Sequence, residues 1–178
     1  MKRKQQQEVA LLLLEQSSRV ARRVTDEHWD GNLPVDLPAI AQGLSLSIQQ
    51  DPSLAGGDTC VVFDAERSTL KVNPIHSRQR QRFAIAHGLA HHCLGHPSHA
   101  DEPGNFNMGA DFTSLQANLF ALELLMPELE VRQIVRQEKI YDVGVLAKRF
   151  GVSQVAMHLR LQSLDLITQQ DIDCCPAP

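Results

Sequence analysis

The first 43 residues carry apolar side chains at helical spacing. Residues 4–28 lack glycine and proline and are predicted to form one long amphipathic helix. The apolar positions of this helix are Val9, Leu12, Leu13, Val20 and Val24. A second, shorter helix is predicted after Asp36, its N-cap, with Pro38 in the first turn and Gly43 at its end. The chain therefore begins with a helical segment.

The pattern changes from helical to alternating after this segment. Residues 44–50 alternate apolar and polar side chains, as a half-buried strand does. Two further apolar runs, residues 59–63 and 69–73, are separated by a short polar connection and predict a β-hairpin. We expect a small antiparallel sheet of about three strands within residues 44–73.

Two long helices are predicted after the sheet. Ser77 can cap a helix over residues 78–94, which Gly95 ends. The next helix covers residues 112–125 and is interrupted by Pro127. Its predicted buried stripe consists of Leu115, Leu119, Leu122 and Met126. Helices that surround a short run of strands are typical of the α+β class.

Residues 143–167 have the layout of a helix-turn-helix, with Gly151 in the turn. The positions that such a unit would offer to DNA or to a partner are Lys148, Arg149, Ser153, Gln154, His158 and Arg160. Short helices that pack only on each other produce the same apolar spacing. A structural role for this block therefore stays open.

Composition and charge narrow the classes of function. The chain has 178 residues and 43% hydrophobic side chains, enough for one good core with a small subdomain. Its net charge of -4 gives no general attraction to nucleic acid. We therefore expect a protein partner rather than DNA alone.

Several signals bear on the compartment. The longest apolar run, Val9–Leu14, is far shorter than the roughly 18 residues that suggest a membrane span. No small-residue cleavage site follows the basic start of the chain. The cysteines form no C-x-x-C pair and are expected to be reduced: Cys60, Cys93, Cys174 and Cys175. These signals predict a cytoplasmic protein with no membrane contact.

Two histidines four residues apart lie within the predicted helix 78–94. Because one helical turn takes about 3.6 residues, His87 and His91 project from one face and could hold one zinc ion. The spacing is that of the zinc-peptidase motif H-E-x-x-H. Gly88, however, stands where the motif has the glutamate that takes a proton from the metal-bound water. The pattern thus supplies two metal ligands and no catalytic base.

Three blocks, in this order along the chain, carry a family pattern. They are Arg82-Phe83-x-Ile85-Ala86-His87-x-x-x-His91, then Ala117-Asn118-x-Phe120-Ala121-x-Glu123-Leu124-Leu125-Met126-Pro127, then Leu146-Ala147-x-x-Phe150-x-Val152-Ser153 with Arg160-Leu161. Together they resemble the ImmA/IrrE family of zinc metallopeptidases, over most of the chain. The resemblance implies a mostly helical, zincin-like domain over residues 1–140, built from segments 4–43, 44–73, 78–94 and 112–125. A helix-turn-helix-like subdomain, 141–168, and a tail, 169–178, would follow.

The same resemblance implies a function and a set of site residues. Members cleave a helix-turn-helix repressor of the Xre type and so control a mobile-element, toxin–antitoxin or stress operon. In the family pattern the third zinc ligand is a glutamate that falls on Ser114, or on Gln116, while Asn118 orients a histidine. Neither Ser114 nor Gln116 is a usual zinc ligand. With Gly88, these departures predict an inactive member that binds zinc weakly or not at all and regulates transcription by binding such a repressor or antitoxin.

Two alternatives stay open. An active zinc endopeptidase would need a non-standard third ligand, and Asp111 shares roughly the helical face of Ser114 and Asn118. Other candidates lie nearby along the chain: His92, His96, His99 and Asp101. A DNA-binding regulator that acts through residues 143–167 is the second alternative.

Overall fold

The computed structural model describes residues 2–56, 61–97, 99–101 and 112–167, with the backbone alone for 2–11, 55–56 and 99–101. The helices in these ranges are α1 (Lys2–His28), α2 (Leu37–Gly43), α3 (Arg78–Leu94), α4 (Phe112–Leu125), α5 (Glu128–Gln137), α6 (Val143–Phe150) and α7 (Gln154–Ser163). The strands are β1 (Ser47–Gln50), β2 (Val61–Asp64), β3 (Thr69–Val72) and β4 (His99–Asp101), and a 3₁₀ turn covers Pro52–Gly56. The predicted α+β class is confirmed. No helix in the described ranges is long and apolar enough to cross a bilayer.

The sheet is mixed, not antiparallel throughout. Its strand order is β1-β3-β2-β4. The β2–β3 hairpin is antiparallel, as predicted, with Phe63 opposite Leu70, and β4 pairs antiparallel with β2. Strand β1 pairs in parallel with β3, with Ser47 opposite Thr69. The prediction of an antiparallel sheet was wrong for β1, because alternation along one strand does not reveal the direction of its neighbour.

Helix α3 lies against β2 and β3, and α4 packs on α3 on one side and on α1 on the other. Because α4 lies between two helices, it has two buried faces instead of the single predicted stripe. Leu122 and Met126 are buried, as predicted, whereas Leu115 and Leu119 are only half-buried. Polar residues of α4 are therefore buried along with the apolar ones.

Helix α1 packs mainly through small side chains. Ser17, Ala21 and Thr25, spaced four residues apart, are buried. The Ser17 hydroxyl donates to the backbone carbonyl of Leu13, and the Thr25 hydroxyl to that of Ala21. Each buried hydroxyl therefore has a hydrogen-bond partner within its own helix. Leu12 and Leu13 of the predicted apolar face are instead 55% and 37% exposed. The buried face is thus only partly the predicted one.

The C-terminal helix pair, α6 and α7, is joined by a turn in which Gly151 has a φ of 67°. Ser153 caps α7, as predicted, by accepting a hydrogen bond from a backbone N–H. Arg160 of α7 donates through Nε to the carbonyl of Met126 at 2.9 Å. Its Nη2 lies 2.7 Å from Oε2 of Glu123 on α4. These contacts anchor the pair to the end of α4.

Candidate metal centre

The two histidines of the motif face α4 from the buried side of α3. His87 is fully buried and His91 is 1% exposed. Their Nε2 atoms lie 3.0 Å apart. Two nitrogens on a tetrahedral zinc ion lie about 3.3 Å apart, since each Zn–N bond is about 2.0–2.1 Å. The pair therefore fits two positions of such an ion after a movement of a few tenths of an ångström.

Asn118 of α4 meets this pair from the opposite helix. Its Oδ1 lies 2.9 Å from Nδ1 of His87. An amide oxygen only accepts, so Nδ1 of His87 carries the proton and Nε2 keeps its lone pair. That tautomer is the one needed for a metal ligand through Nε2. The structure thus places Asn118 where the family resemblance put a residue that orients a histidine.

His96 extends the pair into a row of three histidines. The αL conformation of Gly95 ends α3 and turns the chain back, and the His96 backbone N–H donates to the carbonyl of His91. Nδ1 of His96 then lies 3.0 Å from Nδ1 of His91. The two nitrogens of one imidazole point in different directions, so His96 and His87 contact opposite sides of the His91 ring. In this arrangement His96 cannot join the other two on one ion.

One N–H on each ring satisfies the whole row. His96 donates to His91, His91 donates through Nε2 to His87, and His87 donates to Asn118. A buried polar group that has a hydrogen-bond partner avoids the free-energy cost of being buried without one. With these donor and acceptor roles, hydrogen bonds link both histidines of the motif to neighbouring side chains.

A third metal ligand is absent from the part of the chain that the structure describes. No three His, Cys, Asp or Glu side chains there are close enough to hold a metal ion together. Ser114 is buried one turn before Asn118 on α4. Gln116 is buried too, but its Nε2 donates to the Leu13 carbonyl of α1, away from the histidines. Asp111 lies outside the described residues.

Gly88 lies where α3 approaches the sheet most closely. A Cβ atom built there would lie 2.6 Å from Cδ2 of Leu70 on β3 and 3.3 Å from Cγ2 of Val61 on β2. Real Cβ contacts are longer than the first of these distances, so a larger residue would displace Leu70, which is fully buried. The glycine thus has a packing role in addition to its place in the motif.

The other candidate ligands near the motif belong to α3 and β4. His92 is half-buried, and its ring lies edge-on to Phe63 at 6.1 Å between centroids. Burial raises the pKa of the Cys93 thiol to about 12, so it stays protonated and is a poor ligand. The backbones of His99 and Asp101 belong to β4. The other three cysteines lie outside the described residues.

The residues expected to contact DNA or a partner lie on different parts of the C-terminal pair. Lys148, Ser153 and Gln154 are exposed, and His158 is half-buried. Arg149 forms a double hydrogen bond to the carboxylate of Glu138, at 2.5 and 2.9 Å. Arg160 is buried against α4, as described above, and does not reach the surface that a reading helix would present. The cationic surface is therefore smaller at this block than the sequence predicted.

The fold and the histidine pair define a metallopeptidase-like α+β protein, with two candidate metal ligands among the described residues. A family model described as the IrrE N-terminal-like domain, a peptidase family, matches residues 44–162, about two thirds of the chain. The protein belongs to this family, which is associated with zinc. No curated protein matches the chain significantly.

Proposed function

We propose that this family member is catalytically inactive and works by binding another protein. The observation that carries the proposal is the packing at Gly88, where Leu70 and Val61 occupy the space next to the helix. Removal of a proton from a metal-bound water needs a base at this place in the motif. Glycine supplies none, and a larger residue at this position would have to displace the side chain of Leu70.

The histidine row supports the same proposal. The described residues offer two metal ligands where catalytic zinc takes three, and hydrogen bonds satisfy both. Histidines that already have hydrogen-bond partners gain less free energy from binding a metal ion than histidines whose ring nitrogens have none. The core thus keeps the ancestral scaffold without depending on the ancestral chemistry.

The partner we propose is a helix-turn-helix repressor or antitoxin of the Xre type. Family resemblance implies this class as the substrate of active members. A protein that keeps the substrate-binding scaffold and loses the cleavage step would retain the complex for longer. Such a complex would regulate transcription of a mobile-element, toxin–antitoxin or stress operon by sequestering the repressor.

The first test combines binding with cleavage. Purified protein is mixed with the Xre-type repressor encoded nearest its gene, with zinc or manganese added. We expect a complex on size-exclusion chromatography and an intact repressor by mass spectrometry, because no residue at position 88 can act as the base. The His87→Ala/His91→Ala variant is the control for metal dependence, and circular dichroism checks that it is folded because both side chains are buried. Cleavage at a defined bond, lost in this variant, would overturn the proposal.

A zinc endopeptidase with a non-standard third ligand is the second candidate, favoured by the 3.0 Å separation of the two Nε2 atoms. Metal analysis of the purified protein separates it from the first. We expect substoichiometric zinc, since two histidines alone bind the ion weakly. Stoichiometric zinc that is lost in both His91→Ala and Asp111→Ala, and kept in the exposed control Asp26→Ala, would favour the peptidase.

A further inference from the structure

The N-terminal half of α3 and the C-terminal helix pair enclose a groove of about 940 Å³. Its cationic lining consists of Arg78, Arg80 and Arg82 of α3 and Lys148 of α6, and no Asp or Glu lines it. The whole chain, in contrast, has more acidic than basic residues, 21 against 17. The groove thus concentrates positive charge on an otherwise acidic protein.

The positions of these arginines conflict with helix electrostatics. They occupy the first turns of α3, where the helix dipole favours anions, and no acidic residue lies in its first turn. The dipole and the arginines therefore add to one positive potential in the groove. An anionic group bound there would be attracted by both.

Three of the four cations have no ion-pair partner within the described residues: Arg78, Arg82 and Lys148. Arg78 and Lys148 are exposed. Arg82 donates through Nη2 to the Val35 carbonyl at 2.8 Å, but its buried Nε has no partner. Burial first, and the neighbouring Arg78 second, lower the pKa of Arg82, and the neighbouring Asp36 raises it by less. The cations that line the groove thus form no ion pair with an acidic residue of its lining.

The opposite wall of the groove is apolar. Val155 and Leu159 lie four residues apart on α7 and so share one face. Val155 is 71% exposed, unusually so for a large apolar side chain. Phe83 of α3 and Val152 of the turn are further apolar residues that line the groove. An exposed apolar wall beside unpaired cations is typical of an interaction surface.

We propose that this groove binds an acidic, amphipathic segment of a partner protein. The segment's carboxylates would meet Arg78, Arg82 and Lys148, and its apolar side chains would cover Val155 and Leu159. A nucleic acid fits less well, because a phosphate backbone has no aliphatic face to cover the apolar wall. This inference rests on the proposed function, since it locates the surface through which the partner is held.

A peptide-display selection tests the proposal. A random 15-residue library is selected on the wild-type protein and depleted on the Arg78→Glu/Lys148→Glu variant. We expect the enriched peptides to carry acidic residues together with apolar residues at spacings of three and four. A fluorescein-labelled enriched peptide should bind the double variant about tenfold more weakly by anisotropy.

The matched control is Arg19→Glu/Arg136→Glu, which makes the same change in net charge at exposed cations outside the groove. It should bind the peptide like the wild type, whereas Val155→Ser should weaken binding. Urea midpoints of all variants are compared so that unfolding is not mistaken for lost binding. No enrichment, enrichment without acidic residues, or equal loss in the control would overturn the proposal. Binding of a labelled 24-bp duplex that depends on Arg78 and Lys148, without peptide binding, would assign the groove to nucleic acid instead.

The repressor experiment separates the two proposals. If the repressor binds the wild type and the Arg78→Glu/Lys148→Glu variant equally, the groove proposal fails while binding without cleavage stands. If the repressor is cleaved, the inactive-protein proposal fails, and the peptide measurements still decide the role of the groove.

Discussion

Gly88→Glu is expected to destabilise the protein by at least about 3 kcal/mol and to leave it without peptidase activity. The new side chain would have to displace Leu70, whose Cδ2 would lie only 2.6 Å from its Cβ. The substitution would also introduce a carboxylate next to Leu70 and Val61, which are buried. Urea unfolding followed by circular dichroism measures the effect as a lower midpoint at an unchanged slope.

Gly88→Ala separates the steric part of this effect from the electrostatic part. Overpacking by one methyl group costs about 1–3 kcal/mol, and the higher helix propensity of alanine offsets about 1 kcal/mol. In the double variant Leu70→Ala/Gly88→Ala the collision is removed, so the two changes should cost less together than their separate effects predict. A Gly88→Glu protein with the wild-type midpoint would show that the helix can move off the sheet and that the site can be rebuilt.

Glu123→Ala is expected to cost about 3–5 kcal/mol, because it leaves the guanidinium of Arg160 buried without its carboxylate. The side chains of Glu123 and Arg160 are 2% and 7% exposed and lie 2.7 Å apart. Glu123 also lies 3.2 Å from Nε of Arg22 on α1 and accepts the backbone N–H of Glu128 at 3.3 Å. One carboxylate thus joins α1, α4, the start of α5 and α7.

A double-mutant cycle checks this prediction. Arg160→Met removes the buried cation and should cost less than Glu123→Ala, because Arg22 still neutralises the carboxylate. The Glu123→Leu/Arg160→Met variant should be more stable than the sum of the single effects predicts, since neither charge is then left alone. Arg23→Ala is the surface control, because Arg23 forms an exposed pair 3.8 Å from Glu27. A coupling near zero between Glu123 and Arg160 would contradict the anchoring role.

The family blocks in the sequence included Glu123 without a role and Arg160 as a possible contact to DNA or to a partner. Their separation along the chain is 37 residues, and no local pattern links positions so far apart. Only the packing of α7 on the end of α4 brings them together. The same packing removes Arg160 from the surface where a DNA-reading helix would have used it.

The basic groove is a second feature that depends on contacts between residues far apart in sequence. The alternating arginines at the start of α3 were visible in the sequence, and their conflict with the helix dipole was a usable signal. The sequence did not show that these arginines lie close to Lys148 and to the apolar wall of α7, because that wall belongs to another helix. The sequence interpretation instead placed the cationic surface at Lys148 and Arg149, and Arg149 is paired with Glu138.

The sequence alone determined the long helices, the strands β1 to β3, the caps at Asp36, Ser77 and Ser153, and the α+β class, whereas β4 was not predicted. It also determined that His87 and His91 share a helical face, because helix periodicity and capping depend on residues within a few positions of each other. Only the tertiary structure decided that β1 runs parallel to β3, that Asn118 holds His87, and that Gly88 lets α3 contact the sheet. These three features depend on contacts between residues far apart in sequence. The close contact of α3 with the sheet at Gly88 gives a physical reason for a glycine in place of the glutamate. Gly88, where the zinc-peptidase motif has its glutamate, packs against Leu70 and Val61 of the sheet.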